Sequence, residues 1–314
     1  MTREAGSAGG MLTIKLFDVN SRETDGLGHP EKCPADSFLI HLQEAEKDYY
    51  VLLDGAKKGQ GKAVILPYLI ANGIAELDCV IVSHPHNDHF GGIVDLLGDP
   101  RITVKQFVYA PLEDELVKHS DDADNYTFWM ELREQVKRLP DVWEVNETHI
   151  GSSLAFGKEL SLSVLAAPDR GEMGGKTKVD LNNANLVLRL DYGKFSALFP
   201  GDCGEYQARQ IMASTQGSRI QSVTMLKASH HGGDESATPA FIQACDAKVV
   251  LVPCNETVVE HRPSFVGNLH LLSRNGAKVL RADRARTIVV RTDGKRVECR
   301  AETEVFQETS ILYL

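Results

Sequence analysis

Residues 83–92 read Ser-His-Pro-His-Asn-Asp-His-Phe-Gly-Gly and directly follow the apolar run Cys79-Val80-Ile81-Val82. A short apolar run bounded in this way predicts a buried strand. The segment behind it carries an H-x-H-x-D-H pattern made by His84, His86, Asp88 and His89. Three imidazoles and a carboxylate at one strand end are suitable donors for zinc or a similar divalent ion. Alternation along extended backbone sends His84 and His86 the same way, toward one ion. Asp88 and His89, past the bend, reach toward a second ion. The Gly91-Gly92 pair is expected to let the backbone turn tightly into a helix over 92–97.

The rest of the chain supplies matching strand ends. Leu198-Phe199-Pro200-Gly201-Asp202 is an apolar run into Gly-Asp, and one carboxylate there can bridge two cations. Met225-Leu226-Lys227-Ala228-Ser229-His230-His231 ends a further run in a histidine pair. Val51-Leu52-Leu53-Asp54 ends another, where Asp54 can hold a ligating histidine in orientation. Four strand ends carrying polar groups imply one rim of a β-sandwich. Strands are expected over 11–18, 37–42, 49–54, 104–109, 160–165, 186–190, 196–199, 223–228, 249–252, 277–280, 287–291 and 297–300. Helices are expected over 67–71, 124–138, 204–213, 238–244 and 263–274. Strands followed by helices, twice over, predict two mixed sheets packed face to face with helices outside, an α/β four-layer αββα sandwich.

Composition narrows the class. At 314 residues the chain is long enough for one large core, and 42% apolar with 25% charged residues describes an ordinary globular protein. A flexible leader over 1–10 and a single domain over 11–314 are expected. The formal net charge of −10 disfavours a broad electrostatic grip on nucleic acid. No apolar stretch approaches the length of a membrane span, and the N-terminus lacks the apolar centre of a signal peptide. The six cysteines are scattered without a C-x-x-C pair, which reads as reduced thiols in a cytoplasmic protein. Trp129 and Trp143 read as core anchors.

The ordered set of motifs resembles the metallo-β-lactamase fold superfamily. Within it, the chain is most similar to the soluble hydrolase domain of ComEC-type competence proteins. Leu16-Phe17-Asp18-Val19, followed after an insertion over 20–33 by Ala35-Asp36-Ser37-Phe38, resembles the opening Asp-Val-Gly-x-Gly-Asp segment. That segment is interrupted here and lacks its glycines, so no role is assigned to Asp36. Asn182-Asn183-Ala184-Asn185-Leu186 resembles the Asn-Asn-x-Ser strand. Phe199–Asp202, His230–Gly232 and Asn255-x5-His261-Arg262-Pro263 resemble the Gly-Asp, His-His-Gly and Asn-x-Tyr-x-His-Pro elements. Many ComEC-like sequences carry Asp where this chain has His86, which gives the His-x-His form usual in two-zinc hydrolases.

The resemblance implies two divalent ions, zinc first and manganese second. One would be held by His84, His86 and Asp202, with Asn182–Asn185 or His149 as alternatives for a further ligand. The other would be held by Asp88, His89, Asp202 and either His230 or His231. Two ions sharing a hydroxide supply a nucleophile at neutral pH, with Asp88 orienting it. His261 is the candidate for protonating the leaving group, with the unused member of the His230/His231 pair second. Asp54, Asn182, Asn185 and Lys227 are candidates for supporting the ligands or touching substrate. Lys227 is expected either to contact a phosphate or to be a solvated strand-end residue. The expected activity is a phosphodiesterase or nuclease acting on a nucleotide or a short single strand of nucleic acid. A lactonase or β-lactamase-like acyl hydrolase, and a metal-binding sensor without activity, are the alternatives.

Overall fold

A computed structural model describes residues 10–20, 34–120, 123–168, 180–233, 236, 238–261, 264–301 and 310–313. The expected leader, apart from Gly10, and the insertion, apart from Asn20, lie outside these residues. In chain order the strands are β1 (Met11–Leu16), β2 (Phe38–Gln43), β3 (Asp48–Leu53), β4 (Glu76–Ile81), β5 (Thr103–Tyr109), β6 (Val142–Glu144), β7 (Ser153–Phe156), β8 (Leu160–Ala166), β9 (Val187–Tyr192) and β10 (Phe195–Phe199). They continue with β11 (Met225–Lys227), β12 (Val249–Val252), β13 (Lys278–Arg281), β14 (Ile288–Thr292), β15 (Arg296–Ala301) and β16 (Ser310–Tyr313). One sheet runs in the order β16-β15-β14-β1-β2-β3-β4-β5-β6 and the other β13-β12-β11-β10-β9-β8-β7.

Strand alternation builds three cores from these residues. Leu12, Ile14 and Leu16 of β1, Val51 and Leu53 of β3, and Cys79 and Ile81 of β4 face Phe195, Ala197 and Phe199 of β10 and Met225 of β11 between the sheets. Phe38 and Phe199 meet edge to face across that layer, with centroids 5.3 Å apart. The intervening residues Leu52, Val80 and Val82 point the other way. They pack beneath helices α1 (Leu66–Ala71), α2 (Asn87–Leu97), α3 (Asp114–Lys118) and α4 (Ala123–Val136), around a fully buried Trp129. Leu198, Leu226 and Val250 cover the outer face of the second sheet, under α5 (Glu205–Ala213) and the helices Pro239–Cys245 and Ser264–Leu272. The result is the four-layer αββα sandwich expected from sequence. No helix among the described residues is long and apolar enough to cross a membrane.

Strand direction gathers the polar groups. β3 pairs parallel with β4, and β10 with β11 and β11 with β12. Their carboxyl ends therefore open at the same rim, the usual place for a site in sheets of this kind. Asp54 follows β3, Ser83 and His84 follow β4, Asp202 follows β10, Lys227 ends β11 and Pro253 follows β12. β2 runs antiparallel to β3 with Phe38 opposite Leu53, which brings Asp36, just before β2, to the same rim.

The helix expected over 92–97 begins five residues earlier, inside the histidine motif. His86 is the extended N-cap, and its carbonyl accepts the His89 N–H at 2.9 Å. Asp88 and His89 thus sit on the first turn of α2, where a carboxylate also suits the helix dipole. Gly91 and Gly92 are not turn residues. They lie within the helix, where their missing side chains let it press against the 54–61 loop. The Gly92 N–H donates to Ala56 O at 2.9 Å and Gly55 N–H to His89 O at 2.6 Å. A methyl on Gly92 would fall on the Gly55 carbonyl oxygen and lie 2.8 Å from the Gly61 nitrogen. Gly92→Ala is therefore expected to destabilise the protein by about 1–3 kcal/mol in urea unfolding, the usual range for overpacking. Exposed Gly267, whose added Cβ would meet nothing within 4 Å, serves as the control and should be neutral or slightly stabilising as Ala.

Candidate metal centre

Asp54 adopts a left-handed backbone, φ 58°, which an aspartate tolerates better than most residues. That turn folds its carboxylate back over the end of β4. Asp54 Oδ1 accepts the Ser83 N–H at 2.8 Å, and Oδ2 accepts the Ser83 hydroxyl at 2.7 Å. Oδ2 also lies 2.9 Å from His89 Nδ1. This contact assigns one proton of His89 to Nδ1 and leaves Nε2 as the atom that can be given to a cation. Nε2 points at Asp202 Oδ2, 3.2 Å away, and at Asp88 Oδ2, 3.9 Å away.

The second sheet presents a mirror arrangement. His231 Nδ1 donates to the Pro253 carbonyl at 3.0 Å, with Asp36 Oδ1 3.1 Å away. Its Nε2 faces Asp202 Oδ2 at 3.1 Å and Asp88 Oδ2 at 3.4 Å. His230 and His231 both hold left-handed backbone, φ 46° and 55°, at a cost of about 1–2 kcal/mol each. Such strain persists where surrounding structure enforces it, commonly at functional sites. Asp202 is fixed in turn by Gly201, whose φ of 59° makes the bend, and by its N–H donating to Asn185 Oδ1 at 2.8 Å.

Two imidazole Nε2 atoms therefore face carboxylate oxygens inside a buried pocket. Nε2 of His89 and of His231 is buried, with Asp202 Oδ2 as its near neighbour in each case. The pocket demands positive charge. Burial works against a charged His89, yet Asp202, Asp88 and Asp54 outweigh it and push its pKa up to about 10. Burial likewise opposes charge on His231, and Asp202 and Asp36 raise it well above its ordinary value. Asp88 is held far below the carboxylate range by His89 and His231 against the opposing effect of burial. Four carboxylates (Asp36, Asp54, Asp88 and Asp202) face one ammonium, Lys227. The net excess of negative charge is one that divalent cations would offset. One donor atom each from Asp88, His89, Asp202 and His231 lies within 4.8 Å of the others, and the same holds for Asp36, Asp54 and His89. These two His/Asp clusters share His89 and fit a dinuclear metal site.

The Beta-lactamase superfamily domain matches residues 51–252, a span that contains all four donors of the first cluster. The chain belongs to this family. Its fold and its His/Asp clusters are those of a metal-dependent hydrolase of the metallo-β-lactamase superfamily. This superfamily domain is 29% identical over 235 residues to ComE operon protein 3 of Bacillus subtilis (strain 168), covering 74% of this chain and 26% of that protein. It is 27% identical over 204 residues to YcaI, an uncharacterized protein of Escherichia coli (strain K12), covering 65% and 22%. The chain spans about a quarter of the length of these curated relatives. Among solved structures it resembles the CmlA beta-hydroxylase E377D mutant, with TM-score 0.50 and 13% identity over 83% of this chain and 52% of that one, a likeness of fold alone.

The remaining residues singled out in the sequence of this superfamily domain fall as follows. His84 and His86 come together, Nε2 to Nδ1 at 2.9 Å, and the His84 ring lies 4.1 Å from that of His89. Burial and the neighbouring His89 and His86 hold His84 neutral, the form a metal ligand needs. These two belong to neither compact His/Asp cluster among the described residues. Of the histidine pair it is His231 that joins the cluster. Asn185 is wholly buried and holds the Asp202 turn, while Asn182 Oδ1 is buried without a hydrogen-bond partner. His149 instead caps a turn, its Nδ1 accepting the Asn146 N–H at 3.1 Å, with its ring edge-on to Trp143. The side chain of His261 and all of Arg262 lie outside the described residues.

Lys227 corrects the expectation. It is not a solvated strand-end residue, because alternation after Met225 turns it into the layer between the sheets, where it is 1% exposed. Asp36, given no role from sequence, is equally buried and lies against both Lys227 and His231. Its signal was the Asp-Ser-Phe just before β2, obscured by the insertion that separates it from β1.

Proposed function

We propose that this domain is a two-metal phosphodiesterase of the ComEC type, acting on a nucleotide or a short single strand of nucleic acid. The observation that carries the hydrolase reading is the pair of buried Nε2 atoms converging on Asp202 Oδ2. When bound, two divalent cations, zinc or manganese, acidify a water and polarise a phosphoryl oxygen. Asp88, His89, Asp202 and His231 hold cations, with His84 and His86 completing the set. Asp54 and the Pro253 carbonyl keep both imidazoles in the tautomer that presents Nε2. Asp88 is the most accessible of the four cluster donors, with its side chain 19% exposed, so it meets the reacting water and orients it. His261, at the end of helix Glu256–His261, is assigned the proton that the leaving oxygen takes.

Phosphodiester chemistry is supported by the competence-type motifs and by the similarity to a protein of the ComE operon over 74% of this chain. The net charge of −10 favours a small nucleotide or short strand over long duplex DNA. The test is a turnover screen with zinc and with manganese on bis-p-nitrophenyl phosphate, cyclic nucleotides, single-stranded DNA, a lactone and a β-lactam. Phosphodiesters should be cleaved and β-lactams ignored, and Asp88→Ala should lower turnover by about 10²-fold or more with an unchanged circular dichroism spectrum. Lactone turnover without any phosphodiester cleavage would assign the domain to acyl transfer. Metal binding without any turnover would assign it to sensing.

A further inference from the structure

Lys227 is one of the most buried charges in the domain, and every one of its protons is used. Its Nζ lies 2.6 Å from Asp36 Oδ2, 2.8 Å from Asp202 Oδ1 and 2.7 Å from the Gly201 carbonyl. An ammonium has three N–H groups, and here they meet three acceptors, so none remains for a substrate. Burying such an ion costs several kcal/mol, and a buried pair rarely stabilises a fold more than an apolar residue of the same shape. A stability role is therefore a weak account of a charge kept at this place.

What Lys227 does to its partners is specific. It engages one oxygen of each carboxylate and leaves the other turned toward a histidine. Asp202 gives Oδ1 to Lys227 and points Oδ2 at Nε2 of both His89 and His231, at 3.2 and 3.1 Å. Asp36 gives Oδ2 to Lys227 and sets Oδ1 beside His231 Nδ1, at 3.1 Å. Asp36 lies just before β2 of the first sheet and Lys227 ends β11 of the second, so the contact also joins the two halves of the site.

We propose that Lys227 is a positioning residue: a built-in cation that reserves one oxygen of Asp202, so that this carboxylate bridges the metal pair through Oδ2 alone. This role rests on the dinuclear reading given above. It makes a distinctive expectation, because charge and position pull in opposite directions. Removing an ammonium makes the pocket more negative, which on Coulomb grounds alone tightens cation binding. Freeing Asp202 Oδ1 lets the carboxylate chelate one ion with both oxygens, which weakens the second ion.

The decisive comparison is between wild type, Lys227→Met and the charge-conserving double variant Lys227→Met with Asp36→Asn. Each is titrated with Mn²⁺ by equilibrium dialysis, and the bound ions are read by electron paramagnetic resonance. Wild type should take up two ions with the signal of a magnetically coupled pair. Both variants should bind the second ion about 10-fold or more weakly, the usual size of such an outer-shell effect, and lose the coupled signal. Where Lys227→Met alone fails to fold, the double variant carries the comparison, since it keeps the net charge of the pocket unchanged. Two ions bound with wild-type affinity and coupling in the variants would overturn the role of Lys227 while leaving the metal pair intact. A wild-type protein that binds no pair would overturn the dinuclear reading itself, and the role of Lys227 with it.

Discussion

Asp202→Ala should abolish hydrolysis, with a loss of at least about 10³-fold, because this one side chain faces both His89 and His231 and would serve both cation positions. Asp202 is 2% exposed, and its two oxygens meet Lys227 on one side and the two Nε2 atoms on the other. Among the described residues no other carboxylate lies as close to both Nε2 atoms. Asp36 and Asp54 are engaged by Lys227 and Ser83, and Asp88 lies farther from His89 Nε2, at 3.9 Å. Metal content after dialysis against excess zinc should fall below two ions per chain in parallel with turnover. The fold should survive, since Asn185 holds the Asp202 turn through the backbone N–H rather than the carboxylate. A variant that kept a tenth of wild-type turnover would exclude Asp202 as the bridging group.

How much of this could be read from the chain depended on whether a signal was local. The H-x-H-x-D-H run, the Gly-Asp end and the His-His pair each announce themselves within a few residues, and each follows an apolar run that alternates as a strand. The layers followed from the same runs. The start of α2 was misplaced because the helix begins among polar ligands, where apolar periodicity gives no signal and only the extended N-cap at His86 marks the boundary. Gly91-Gly92 was misread for the same reason, since a glycine pair at a turn and a glycine pair pressed against a neighbouring loop look alike in sequence. The short strands β6 and β7 hold too few residues for a period to register. The Lys227–Asp36 contact joins residues 191 positions apart at strand ends of different sheets, so no spacing rule could reveal it. Lysine at a strand end is ordinarily solvated, and only the parity set by Met225 buries this one.

The same charge deficit predicts opposite pH responses with and without metal. In the metal-free protein the carboxylates raise His89 from its ordinary 6.5 to about 10, against the effect of burial. A group whose pKa is higher in the folded state contributes stability that is fully present below its unfolded value and is lost as pH rises through its folded value. Metal-free protein should therefore weaken steadily between about pH 6.5 and 10, by up to about 1.4 kcal/mol per pH unit for each such histidine. Asp202 and Asp88 are shifted down, so their contribution is present above about pH 4 and is lost on acidification below it. Maximum stability without metal is thus expected between about pH 4 and 6.5. Cations need the same Nε2 atoms unprotonated, so their binding expels those protons and tightens as pH rises. Thermal melts at pH 6, 7 and 8.5, with a chelator or with zinc, should diverge. The chelated protein loses midpoint temperature with pH, and the stabilisation conferred by zinc grows. A zinc-dependent increment that stayed constant over this range would mean that His89 and His231 carry no proton for the metal to displace. The two buried Nε2 atoms would then be held neutral by something other than a cation.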